Sequence, residues 1–270
     1  MGKPARERID VLLVDRGLAP TRSKAQALVL AGDVSCHGNR IDKPGQLVDP
    51  EAELKVRPGR RWVGRGAHKI GPALVAFGLD PDGLRVLDVG ASTGGFTQLL
   101  LERGAVEVIA LDVGRNQIDW RLRSDPRVRV LDGVNARYLV SDHLPFVPDW
   151  AVIDVSFISL EKVLLPVASC VVEGGTIVAL VKPQFEVGKG QVGRKGLVRD
   201  RRLHRKVLER IVRFAQQSGW SVKGVCAAGL PGVQGNQEYF VHVVVGAGTV
   251  VGSNWQTWID DAIDAGETVS

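Results

Sequence analysis

The chain has 270 residues, 44% of them hydrophobic and 24% charged, with a formal net charge of +5. Three dispersed cysteines (Cys36, Cys170, Cys226) with no CxxC pair argue against a disulfide framework or a zinc site, and no metal is expected. The opening MGKPARERID lacks the apolar segment of a signal peptide, and no apolar run reaches the ~20 residues of a membrane span, so a cytoplasmic chain without a membrane partner is expected.

The positive charge is local. Residues 1–67 hold 13 Lys/Arg against 8 Asp/Glu, whereas the other 203 residues hold 22 of each. A second excess, nine basic residues against two acidic, runs from Lys182 to Lys206, and the C-terminal stretch carries Asp260, Asp261, Asp264 and Glu267. Concentrated positive charge points to a polyanionic partner, because neutralised phosphates release counterions.

The first segment reads as a small α+β domain. Ile9, Leu12, Leu13 and Val14 have helical spacing, closed by Gly17. Thr21 is the N-cap of a second helix whose apolar face is Ala25, Leu28, Val29 and Leu30, ended by Gly32. Val34, Ile41, Val48 and Leu54–Val56 fall in short strands of one small sheet, separated by turns at 37–39 and 44–45. Arg8-Ile9-Asp10, Gly17-Leu18, Thr21-Arg22-Ser23-Lys24-Ala25, Gly32-Asp33-Val34 and Lys43-Pro44 together resemble an S4 RNA-binding domain. That resemblance implies RNA-phosphate contacts at Arg8, Arg22, Lys24, Arg40 and Lys43. The expected domains are 1–59, an Arg/Gly-rich linker at 60–66 and a larger domain at 67–270.

The larger domain alternates strands with helices. Strands are expected at 84–89, 106–111, 128–131, 151–155, 176–181, 222–227 and 239–245, with a helix at 96–103. This is the pattern of an α/β, doubly wound, mostly parallel sheet. The first of these strands runs into Asp88-Val89-Gly90-Ala91-Ser92-Thr93-Gly94-Gly95-Phe96, a glycine turn through which a backbone can approach a ligand closely. Asp112 and Val113 end the next strand, where a carboxylate can meet ribose hydroxyls. Neither GxGxxG nor GxxxxGK[ST] is present. Asp88, just before the first glycine, suits a cationic ligand better than a pyrophosphate. S-adenosylmethionine fits, with a nicotinamide cofactor or a purely structural turn as alternatives. Asp132 and Asn135 follow the third strand and could reach an adenine, or could serve turn chemistry alone.

The acceptor follows by elimination. Asp154-Val155-Ser156-Phe157 lacks the [DN]PP[YF] of amino-group methyltransferases, and no cysteine follows a proline as a C5-pyrimidine enzyme requires. A hydroxyl acceptor assisted by a base or cation is the expectation, or an acceptor needing little activation. Lys182 at the end of a buried strand, Lys69 near the domain junction and Glu238 before the last strand are the candidates; each alone could be an ordinary surface charge.

In order and flanking residues, Lys69, Asp154, Lys182 and Glu238 resemble the K–D–K–E tetrad of FtsJ-like ribose 2′-O-methyltransferases. With GASTGGFT, VSFISL, LVKPQFE and GNQEYF behind the S4-like segment, the chain resembles the TlyA family over nearly its whole length. The resemblance implies a Rossmann-like class I fold with a seven-stranded sheet. It implies S-adenosylmethionine-dependent methylation of cytidine 2′-hydroxyls in 16S ribosomal RNA, 23S ribosomal RNA or both, within ribosomal subunits. Gly90 to Phe96 would cradle the methionine moiety, Asp112 the ribose and Asp132 the adenine. Asp154 would lie by the sulfonium, and Lys182 would activate or orient the hydroxyl with Lys69 and Glu238 in support. Arg65 and the Gly/Lys-rich loop with Lys189, Arg194 and Lys195 would add RNA contacts. A monomer is expected. Competing readings are an RNA-binding scaffold with an inactive methyltransferase fold and a membrane-acting haemolysin.

Overall fold

A computed structural model describes residues 6–57, 62–188, 190–232, 234–246 and 254–267. The chain separates into two compact units, Met1–Arg61 and Trp62–Ser270.

The first unit contains β1 (Glu7–Arg8), α1 (Ile9–Asp15), α2 (Arg22–Leu30), β2 (Val34–Cys36), β3 (Asn39–Arg40), β4 (Leu47–Val48) and β5 (Leu54–Val56). The Thr21 side chain caps α2 by accepting from the Lys24 N–H at 3.3 Å. Ile9, Leu13, Ala25, Val29, Val34 and Ile41 are buried together, so both helices meet over one core. Leu30 corrects the expected apolar face. It is 68% exposed, because one residue beyond Val29 rotates it about 100° off the buried stripe. The strands also form two small sheets rather than one: antiparallel β3–β2–β5, and the β1–β4 pair.

The second unit contains α3 (Gly66–Ala76), β6 (Arg85–Val89), α4 (Gly95–Glu102), β7 (Glu107–Asp112), α5 (Trp120–Arg123), β8 (Val128–Asp132), β9 (Trp150–Ile153), α6 (Glu161–Ala168), β10 (Thr176–Val181), α7 (Pro183–Glu186), α8 (Arg201–Gln217), β11 (Ser221–Ala227), β12 (Tyr239–Val244) and α9 (Trp255–Glu267). The seven strands lie in the order β11-β12-β10-β9-β6-β7-β8. Neighbours from β10 to β8 are parallel, and β12 is antiparallel to both β10 and β11. The strands are apolar on both faces. Leu87, Ile153, Ile177 and Val181 pack with α6, α8 and α9 residues such as Val163, Leu208 and Ile259. Val86, Val152, Val178 and Leu180 pack with α3 and α4 residues such as Ile70, Leu74 and Leu100. Helices therefore cover both sheet faces, which defines a doubly wound α/β layer.

Of the stretch expected as a linker, residues 62–66 belong to this second unit. The Val63 N–H donates to Gln98 Oε1 at 2.8 Å, and Gly66 begins α3. Residues 60 and 61 lie outside the described residues.

Candidate active site

Register brings the sequence-distant candidates to one edge of the sheet. Val89 on β6 pairs with Ile153 on β9, so Gly90 and Asp154 leave adjacent strands side by side. Val181 on β10 pairs with Tyr239 on antiparallel β12, so Lys182 and Glu238 flank that pair at the same edge. This is the carboxyl edge of the parallel strands, where open α/β sheets bind ligands. The inserted antiparallel strand is what delivers Glu238 there.

Two ion pairs hold this edge. Lys182 Nζ lies 2.5 Å from Asp154 Oδ1 and donates to Ser156 Oγ at 2.9 Å. Lys69, projecting from α3, donates to Glu238 Oε2 at 2.6 Å, and both side chains are almost fully buried. Gln184 Nε2 donates to the other Glu238 oxygen at 3.2 Å. Lys69, Asp154 and Lys182 line one cleft of about 340 Å³ with Ser156, Arg65 and the turn residues Gly90, Ala91, Ser92, Thr93, Gly95 and Phe96. Glu238 is not on that wall; it stands behind Lys69 and fixes it. Sequence reasoning passed over Ser156 and Gln184, whose roles depend on which cation or carboxylate they face.

A second cleft, of about 540 Å³, shares Gly90, Ser92, Asp154 and Ser156 with the first. Val89, Leu111, Val134, Ile158 and Val163 give it apolar walls, and Asp112, Val113 and Asn135 are at its rim. The glycines are sterically required. Gly90 has φ +84°, and a Cβ there would overlap the Asp154 carbonyl; Gly94 has φ +95°, and a Cβ would strike Leu122. Asp112 shapes the turn itself: its carboxylate accepts from the Ser92 N–H at 2.8 Å and the Gly114 N–H at 2.7 Å. The Asn135 side chain accepts from the Arg137 N–H at 3.0 Å.

Two of the expected cofactor residues are engaged by the chain's own donors. Asp88 is completely buried beneath the turn, where Oδ2 accepts from the N–H and hydroxyl of Thr97 at 2.9 and 2.6 Å. Burial, with no donor on Oδ1, pushes its carboxyl up to about 7. It anchors the start of α4. Asp132 accepts from Arg123 at 2.8 Å and the Asn116 N–H at 3.3 Å; the Arg123 guanidinium holds it below the usual carboxylate range. It is not among the residues lining either cleft.

Phe157 marks a further feature the sequence reading did not separate from its motif. It is 90% exposed, has φ +63°, and its ring centroid is 4.8 Å from that of Phe185. Lys182 Nζ lies 6.0 Å from the Phe185 ring centroid, so an aromatic pair stands beside this lysine.

The expected RNA contacts divide into groups. In the first unit, Arg8 and Arg22 converge on Asp10. The exposed Lys43 lies in the same turn as Gly45, and a Cβ on Gly45 would come within 3.1 Å of Arg8. Arg40 packs at Gly32, beyond the opposite end of α2, and pairs with Asp42 at 2.7 Å. Lys24 is half-buried on α2. In the second unit, exposed Arg65 donates to the Pro231 carbonyl at 2.9 Å on the cleft rim. Arg194 and Lys195 are exposed on a short 3₁₀ turn, and Lys189 lies outside the described residues. Part of the remaining 182–206 excess is neutralised from within. Arg201 pairs with Asp264 and Arg205 with Asp260, so the acidic C-terminal helix absorbs part of the charge that suggested a polyanion.

The fold and this glycine-cradled edge define a methyltransferase of the doubly wound class. Residues 62–244 match the FtsJ-like methyltransferase family and residues 7–54 match the S4 domain, so the chain belongs to the FtsJ-like methyltransferases and carries an S4 domain. It is 49% identical over 238 residues to the 16S/23S rRNA (cytidine-2′-O)-methyltransferase TlyA of Mycobacterium tuberculosis, covering 87% of this chain and 89% of that protein. It is 34% identical to the 23S rRNA (cytidine-2′-O)-methyltransferase TlyA of Campylobacter jejuni, covering 68% and 71%. A solved structure from Streptococcus thermophilus, named as a hemolysin, is similar with a TM-score of 0.73 and 40% identity, covering 99% of this chain and 98% of that one.

Proposed function

We propose that this chain transfers a methyl group from S-adenosylmethionine to the 2′-hydroxyl of cytidine in ribosomal RNA, acting on ribosomal subunits in the cytoplasm. The observation that carries the reading is the paired arrangement Lys182–Asp154 and Lys69–Glu238 at the mouth of the glycine-lined cleft. The two joined clefts fit the cofactor: glycine backbone and Asp154 beside the smaller, apolar walls along the larger. Gly90 to Gly95 would hold the methionine part, and Asp112, Val113 and Asn135 would border the adenosine. When bound, S-adenosylmethionine supplies an electrophilic methyl group.

The chain's own residues then have a positional task. An ammonium has three donors. Lys182 donates one N–H to Ser156 and lies against Asp154 as an ion pair, which leaves donor capacity for the acceptor oxygen. Holding that oxygen in line lowers the barrier without complete prior deprotonation, because the hydroxyl proton becomes acidic as the new O–C bond forms and then leaves to water. Lys69, locked by Glu238, adds a second fixed positive group near the attacking oxygen. Phe157 and Phe185 offer rings on which an unstacked base can lie. Arg8, Arg22 and Lys43 of the S4 domain would hold RNA phosphates, with Arg65, Arg194 and Lys195 contributing from the second unit.

The hemolysin-named relative raises a membrane-acting reading. No described helix is long and apolar enough to cross a membrane. The test is to incubate the full chain and S-adenosylmethionine with separated ribosomal subunits lacking the modification, then digest the RNA to nucleosides for mass spectrometry. Newly formed 2′-O-methylcytidine is expected, and the subunit that gains it identifies the substrate. Methyl groups on a base alone, or no transfer to either subunit or to intact ribosomes despite cofactor binding, would contradict the reading.

A further inference from the structure

We propose that Asp10 is a positioning residue that assembles Arg8 and Arg22 into a preformed fork for an RNA phosphodiester. The proposal rests on the reading of the first unit as RNA-binding and assigns a function to a residue of the opposite charge.

Asp10 lies in the first turn of α1 and has no exposed surface. Its carboxylate is saturated by side chains. Oδ1 accepts from Arg8 Nε at 3.0 Å. Oδ2 accepts from Arg8 Nη2 and Arg22 Nε, each at 3.0 Å, and from Gln26 Nε2 at 2.8 Å. Three segments are thereby tied to one anion: β1, the first turn of α2 and its next turn. The Arg8 side chain acting first, then Gln26 and Arg22, holds this carboxyl far below the usual range despite its burial, so it stays charged at any pH where RNA is stable.

The arginines are not buried with it. Their side chains are 45% and 55% exposed. Asp10 engages only one edge of each guanidinium. Nη1 of Arg8 and both terminal nitrogens of Arg22 remain outside that contact. A guanidinium fixed through its inner edge presents the remaining N–H groups in a planar fork, which matches phosphate oxygens. Two such forks meeting at one carboxylate retain a net positive charge and have already lost most of their rotamer freedom.

A buried carboxylate is a costly way to join two helices if packing is the only requirement, since an apolar residue of similar volume avoids desolvation. Its use here makes sense if the arginines must be aimed. The sequence also places a third cation in reach, because the exposed Lys43 lies in the turn whose Gly45 abuts Arg8.

The proposal makes a prediction opposite in sign to net charge. Asp10→Asn makes the domain more positive, which alone would strengthen binding to a polyanion. If Asp10 aims the forks, affinity falls instead, by about tenfold for two side chains that must be reordered on binding.

The test measures binding of the full chain to unmodified ribosomal subunits over a salt series, for the wild type, Asp10→Asn and Arg22→Lys. With two phosphate contacts loosened, the slope of log K against log salt should become shallower by about 1.4 for Asp10→Asn. Arg22→Lys keeps the charge at an exposed position but removes the fork, and a loss of about threefold is expected. Circular dichroism and thermal unfolding show whether each variant is folded; if Asp10→Asn is not, Arg22→Lys decides. Wild-type affinity and slope in the folded variants, or tighter binding by Asp10→Asn, overturn the proposal while leaving the RNA-binding reading intact. Absence of salt-dependent binding by the wild type overturns both.

Discussion

The two sets of ion pairs in the methyltransferase unit use the same chemistry in different surroundings. At the carboxyl edge of the sheet, Lys69 and Glu238 have side chains only 9% and 3% exposed, and Lys182 and Asp154 are 11% and 21% exposed. Between α8 and α9, Arg201 and Asp264 are 50% and 66% exposed, and Arg205 and Asp260 are 43% and 46% exposed. Water screens the second set, so each pair is worth at most about 1 kcal/mol. The first set has traded solvent for a partner, so removing one member leaves an uncompensated buried charge. Charges at the sheet edge are therefore held by burial, and those between the helices neutralise part of a basic surface.

This contrast is open to direct attack. The largest effect should come from Glu238→Ala, which strands Lys69: a loss of about 3–5 kcal/mol in unfolding free energy is expected, measured by urea denaturation. The paired change Lys69→Met with Glu238→Leu should recover most of that stability and still leave the chain without methyl transfer. If the double variant transfers methyl groups, the pair is structural only.

A smaller effect concerns Asp88, whose carboxyl is pushed up to about 7. The folded chain then retains a proton that the unfolded chain has released above pH ~4. Stability from this group is complete below the unfolded value and is lost as pH rises through the folded one. Between pH ~5 and ~7 the loss is about 2 kcal/mol. Asp88→Asn removes that slope while keeping an acceptor for Thr97, so the difference in stability between wild type and variant should move by that amount across the range. A difference independent of pH would place an ionised carboxylate in the core.

The smallest effect is expected from Arg205→Ala, no more than about 1 kcal/mol and shrinking as salt is added. A loss comparable to that of Glu238→Ala would erase the distinction between the two sets.

Much of the site was legible because motifs sit at strand ends. Gly90, Asp154, Lys182 and Glu238 each follow or precede an apolar run that could only be a strand, and the ordered pattern carried the family. The partners of Asp88 and Asp132 were not legible for one reason: sequence locates a carboxylate at a turn but does not say whether Thr97 or Arg123 will claim it. The basic segment after Lys182 was harder still. Its neutralising acids lie more than 50 residues away on α9, and the link appears only when α8 is recognised as a helix. The signal was present in His204, Val207, Leu208, Ile211, Val212 and Ala215, all buried and falling at i, i+3, i+4, i+7, i+8 and i+11 of one helix face.

The central claim is that Lys182 acts on the acceptor oxygen and not on the cofactor. The most direct measurement compares Lys182→Ala with the wild type in two assays: S-adenosylmethionine affinity by calorimetry, and single-turnover methyl transfer to unmodified ribosomal subunits. The account predicts an affinity within about threefold of wild type and transfer slower by about a thousandfold or more. Retained transfer, or a loss explained entirely by weakened cofactor binding, would contradict it.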